Sequence, residues 1–151
     1  MTMQDLRTLL SEDELGTLRA QFDAAVLSEA ASTPFSMLYP PLEAWVKETS
    51  ATFFDRSRLA PRDRERCIVA LLTVNGGLPM SLAIHIYWAL MEGLSVGEVC
   101  ETIGLVGAYG GVQRVAFGMT VLQRTLGVLQ RCAQSNAKSA NVVSTFIAEL
   151  K

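Results

Sequence analysis

Histidine is nearly missing from this sequence: there is one, His85, with three widely separated cysteines, Cys67, Cys100 and Cys132. A zinc or iron centre needs several His or Cys ligands, so a single imidazole leaves it short, and no metal site is expected. No Cys-x-x-Cys pair occurs and no cysteine lies near His85 in sequence, which removes the usual thiol redox and thiol nucleophile arrangements. Cys67 and Cys100 read instead as small buried hydrophobes. An odd number of spaced cysteines fits reduced thiols, and a cytoplasmic setting, better than a disulfide framework.

Charge is scarce as well. Only 19% of the residues are charged and the net charge is −2, with no basic stripe of the kind that neutralises phosphates, so nucleic acid is not an expected partner. Met1-Thr2-Met3-Gln4-Asp5 lacks the basic start and apolar run of a secretory signal. From Cys67 to Met91 there is no formal charge at all, a length that could span a bilayer. Asn75-Gly76-Gly77-Leu78-Pro79 interrupts it, so two buried helices joined by a turn are expected, and no membrane span. Strand-type alternation and tandem repeats are also absent.

Apolar residues, by contrast, are plentiful. They make up 50% of a chain of 151 residues, which is a one-domain length. A domain of this size buries roughly 70% of its unfolded surface. It has too little interior for such a supply, so some apolar surface should face a partner, most simply another copy of the chain.

Helical punctuation recurs along the sequence. Ser11-Glu12-Asp13-Glu14 has the form of a capping box, followed by Leu15, Leu18, Phe22 and Val26 on one helical face, with Thr33-Pro34 expected to end that helix. Pro40-Pro41 opens a second helix with Leu42, Trp45, Val46, Thr49 and Phe53 as its expected buried stripe. Pro61 opens a third, buried beyond its first turns and stopped by Asn75-Gly76-Gly77. Pro79 opens a fourth that runs to Glu92, where Gly93 supplies a left-handed end. Ser95-Val96-Gly97-Glu98 is a second capping box for a fifth helix to about Tyr109, and Gly104, Gly107 and Gly111 form a strip open to close backbone approach. A long sixth helix follows Val112; 134–138 reads as a polar hinge before a short terminal helix with Val143, Phe146, Ile147 and Leu150. The expected fold is therefore all-α, a single-domain bundle of six to seven helices over 1–151.

Chemistry has one obvious centre. His85 shares a helical face with Ser81, Trp88, Ala89 and Glu92. An imidazole in an otherwise uncharged helix is costly without a hydrogen-bond partner. It is either a satisfied core histidine or a general acid–base held by a carboxylate from another helix, with Glu65, Glu98 and Glu101 as candidates. Tyr87, Trp88 and Tyr109 line a pocket or fill the core.

Taken in order, Leu59-Ala60-Pro61-Arg62-Asp63-Arg64-Glu65-Arg66, Asn75-Gly76-Gly77, His85-Ile86-Tyr87-Trp88-Ala89-Leu90-Met91-Glu92-Gly93-Leu94-Ser95, and then Glu98, Glu101, Tyr109 and Gly111 resemble the carboxymuconolactone decarboxylase-like superfamily. That superfamily includes the alkylhydroperoxidase D-like proteins, and the resemblance covers approximately 59–119. It implies an alkylhydroperoxidase D-like helical fold that assembles as trimers or hexamers, with a site near the motif histidine, often close to a subunit boundary. The peroxidase branch carries Cys-x-x-Cys where this chain has Leu78-Pro79-Met80-Ser81, so the resemblance is to the branch without thiols. Aligned on the histidine, the family's acidic helix residue falls on Arg66; aligned on Asn75-Gly76, it falls on Glu65.

The resemblance implies a cofactor-independent decarboxylase, or a related acid–base enzyme, acting on a small carboxylated lactone or keto acid. His85, Glu65 and Glu101 are its candidate catalytic residues, and Ser81, Trp88, Tyr109 and Arg66 its candidate substrate contacts. Arg64 or Arg114 could also hold a substrate carboxylate. Two alternatives stand beside this reading: an oxidoreductase of the peroxidase type without the thiol pair, and a helical assembly or binding module without catalysis.

Overall fold

The computed structural model describes residues 5–6, 8–54 and 58–150, and among them it contains eight helices and no strand. They are α1 (Glu12–Ala20), α2 (Ala24–Leu38), α3 (Pro40–Phe54), α4 (Pro61–Asn75), α5 (Pro79–Met91), α6 (Val96–Gly110), α7 (Val112–Gln134) and α8 (Ser139–Glu149). The fold is all-helical, as expected. No helix among the described residues is long and apolar enough to cross a membrane.

Both capping boxes form. The Ser11 and Ser95 hydroxyls accept the Glu14 and Glu98 backbone N–H groups, and each glutamate reaches back to its cap's own N–H. Pro61 and Pro79 occupy the first turns of α4 and α5, where a missing N–H costs nothing. Gly76 (φ 67°) and Gly93 (φ 97°) end these two helices in the left-handed region that a side chain disfavours.

The extra helix comes from a break that helical spacing conceals. Leu15, Leu18, Phe22 and Val26 run on at helical intervals, yet the chain leaves the helix at Gln21 and restarts when the Asp23 carboxylate caps Ala25 N–H at 3.0 Å. Pro34, expected as a stop, sits buried inside α2. Two hydroxyls in the same turns, Ser32 and Ser36, donate to the Glu29 and Thr33 carbonyls at 2.7 and 2.8 Å.

At the centre lies α5. Twelve of its 13 residues are buried, and it packs against α1, α2, α4, α6, α7 and α8. Each fully enclosed Leu or Ile on it is worth ~1.5–3 kcal/mol relative to exposure. By contrast α3 packs mainly on α2, and none of its described side chains is buried. The expected buried stripe of α3 is corrected accordingly: Trp45 is 61% exposed, Leu42, Val46 and Thr49 are half-buried, and Phe53 lies outside the described side chains.

Two further corrections concern α4 and the glycines. Expected to be buried beyond its first turns, α4 buries only the stripe Glu65, Val69 and Thr73, and leaves Cys67, Leu71 and Val74 exposed. Of the expected glycine strip, only Gly107 meets a neighbour, Val115; Gly104 and Gly111 face open space. Gly118 of α7 is more closely packed than any glycine of that strip: a Cβ there would stand 2.7 Å from Ile103 and 2.8 Å from Thr73.

Candidate active site

Glu65 is carried into the interior by its place on the buried stripe of α4, and it has no exposed surface. A carboxylate so placed is costly unless paired. Its partner comes from α5: His85 Nδ1 and Glu65 Oε2 are 2.8 Å apart. An ionised carboxylate only accepts, so Nδ1–H is the donor and Nε2 is left for a molecule outside the pair. Arg64 Nε lies 3.5 Å from the other oxygen, Oε1. The Trp88 ring stacks on the imidazole, with centroids 5.9 Å apart and planes at 8°, and its indole N–H donates to Glu92 at 3.2 Å.

The histidine of this pair borders a half-open cleft of about 860 Å³ between α2, α3, α4 and α5, with Glu65 buried behind it. His85 (9% exposed) and Trp88 form its floor with the half-buried Arg64 and Ile68. One wall is α2, with Ala24, Ala25, Ser28, Glu29, Ala31, Ser32 and Phe35, small residues apart from the exposed Glu29 and from Phe35; Val46 and Lys47 of α3 also line the cleft. Among the described residues no group of three or more His, Cys, Asp or Glu side chains is placed to hold a metal ion.

The residues anticipated from sequence divide clearly. His85, Glu65 and Trp88 meet at the cleft floor, and the pairing favours Glu65 as the carboxylate. Ser81 is buried one turn before His85; its hydroxyl has no hydrogen-bond partner among the described residues, and it does not border the cleft. Glu101 is exposed and away from the cleft, and Tyr109 is 95% exposed. Arg66 is turned to the Glu98 carboxylate at 3.0 Å and to Asp63 at 3.8 Å. Glu98 also binds Arg62; the Ser95 N–H and the Arg62 guanidinium hold its carboxyl below the ordinary value of 4.5. That cluster ties α4 to α6. Arg114 lies over Gly76, at the far end of α4.

The α2 wall was missed in the sequence. Its signal is a run of small residues, Ala24-Ala25-Val26-Leu27-Ser28-Glu29-Ala30-Ala31-Ser32, which equally suits close helix packing.

A helical bundle whose floor histidine is held by a buried carboxylate, open to an apolar cleft, has the layout of an acid–base site. The chain belongs to the carboxymuconolactone decarboxylase family: the family profile matches residues 40–124, more than half of its length. No curated protein and no solved structure matches it.

Proposed function

We propose that the protein is a cofactor-independent acid–base enzyme, a carbon–carbon lyase that decarboxylates a carboxylated lactone or keto acid. The observation that carries this reading is the Glu65-held His85 ring at the floor of the cleft. In the reaction the bond between carbon and the departing carboxylate breaks, carbon dioxide leaves, and the electron pair moves into the adjacent carbonyl as an enolate. Protonated His85 then gives its Nε2 proton to carbon and is recharged from water. Glu65 fixes the ring's orientation and stabilises its charged form; Arg64 holds a substrate oxygen that carries negative charge.

The thiol geometry weighs against the oxidoreductase alternative. Cys67, Cys100 and Cys132 do not border the cleft, and Cys100 and Cys132 are buried. A reachable histidine in a cleft weighs against a module without catalysis. The test is carbon dioxide release from a panel of carboxylated lactones and β-keto acids. Release by the wild type that His85→Gln abolishes supports the reading, because an amide cannot cycle a proton near neutral pH. Release unchanged in that variant would remove it.

Self-assembly as a trimer or hexamer belongs to the same proposal. Leu71, Leu105, Tyr109 and Val112 are exposed on three mutually packed helices, α4, α6 and α7. Apolar surface of this kind on one chain suits a second copy.

A further inference from the structure

The cleft is long and large for a compact lactone. Its α2 wall runs from Ala24 to Phe35, which at the helical rise is roughly 16 Å. The residues at 24, 28, 31 and 35 fall on one face, and the small side chains of Ala24, Ser28 and Ala31 keep the groove open along it. Its volume of about 860 Å³ sits in the upper part of the roughly 300–1,000 Å³ range of pockets that enclose drug-sized molecules. Two groups that can recognise an anion lie together, His85 and Arg64, both beside Glu65; elsewhere in the lining the charges are Glu29 and Lys47, the latter paired with Glu43 at 2.7 Å.

We propose that the substrate is an elongated amphiphilic acid, a carboxylate or β-keto acid bearing an apolar chain or fused-ring body. It lies along α2 with its anionic end on His85 and Arg64. This rests on the reading of His85 as the reacting end of the site. The apolar body supplies binding energy remote from the reacting carbons, and the floor pair supplies the chemistry. A small lactone would leave most of the α2 wall facing water.

The test uses simple probes and needs no turnover. Butanoate, octanoate and decanoate, with octanamide as the uncharged control, are titrated calorimetrically into the full-length protein. Affinity should rise at least about tenfold from butanoate to octanoate as methylenes are buried, and octanamide should bind more weakly than octanoate. Ser28→Phe, at an exposed position on the α2 wall, should weaken octanoate and decanoate at least about fivefold and leave butanoate unchanged. Arg64→Gln should weaken the carboxylates and leave octanamide unchanged.

Equal affinity along the series, no binding of any probe, or indifference of octanoate to Ser28→Phe would overturn the proposal. So would a Ser28→Phe variant whose light-scattering mass changes while octanoate binding does not, because the groove would then be an interface between copies. The two readings fail separately. Graded binding with no carbon dioxide release from any acid removes the lyase; release from a compact lactone without graded binding removes the elongated substrate.

Discussion

Glu65 and His85 stand twenty positions apart in the chain, yet their Oε2 and Nδ1 atoms are 2.8 Å apart, and the carboxylate has no exposed surface. The histidine is therefore a structural partner as well as the proposed acid–base. Replacing it by alanine leaves a buried carboxylate oxygen unmatched and should cost about 1–3 kcal/mol. His85→Asn should lose less than half of that, because its amide nitrogen falls near the position of Nδ1 and can still donate to Glu65, although the proposed proton transfer is gone. Urea unfolding of the two variants checks the difference, and a His85→Ala protein as stable as wild type would contradict the pairing.

A second prediction concerns Ser139, the buried first residue of α8. Its hydroxyl accepts the Asp23 N–H at 2.9 Å and donates to the Gln21 carbonyl at 3.2 Å, so the Tyr87 hydroxyl, also at 3.2 Å, must be the donor to it. The break between α1 and α2, the centre of α5 and the start of α8 thus meet on one oxygen. Ser139→Ala should destabilise by about 1–3 kcal/mol, because it strands three groups. Tyr87→Phe should cost less, because it removes a donor and leaves the serine otherwise bonded. Denaturant midpoints of the two variants test the order.

Acid should weaken the α4–α6 contact before the core fails. The Glu98 carboxyl is held below 4.5 by the Ser95 N–H and then by Arg62. A depressed folded-state value contributes stability that is present above the unfolded value and lost as pH falls through the folded one. Wild type should therefore lose stability below about pH 4.5, and Glu98→Gln should lose less over that same interval. Parallel urea titrations at pH 7 and pH 3.5 measure it; identical losses in both proteins would remove Glu98 from the account.

Assembly supplies the fourth prediction. Light scattering at low micromolar concentration should give the mass of a trimer or hexamer, with interfaces burying more than about 2,000 Å² as permanent assemblies do. Leu105→Glu places a charge on the exposed apolar face of α6 and should shift the mass toward one chain. A wild-type monomer at that concentration would refute it.

Much of the fold was legible in single residues. The serine–glutamate boxes, Pro61, Pro79 and Gly93 fix helix ends by local hydrogen bonding and steric limits, which are properties of the sequence itself. The Gln21–Asp23 break was hidden because its apolar residues keep helical spacing through the turn; what decides it is the Ser139 hydroxyl, 116 positions from Asp23. At the site, His85 stood out as the one imidazole of the chain, set in an uncharged helix. Glu65 could have been separated from Arg66 by its four-residue spacing to Val69 and Thr73, the stripe that α4 buries. Glu101 and Tyr109 fit the family pattern, but both are exposed and neither borders the cleft. Arg66 was claimed by Glu98, a pairing across two helices that linear spacing does not express.

The unequal burial of α3 and α5 gives the cleft two walls with different clocks. Backbone amides of α5 sit in the most enclosed rod of the molecule and exchange with solvent only when the whole domain opens. Those of α3, fastened mainly to α2, can open locally at far lower free energy. A ligand in the cleft would therefore rest on the most enclosed helix of the molecule and against one of its least enclosed, so protection of α3 amides from exchange, more than of α5 amides, should report its binding.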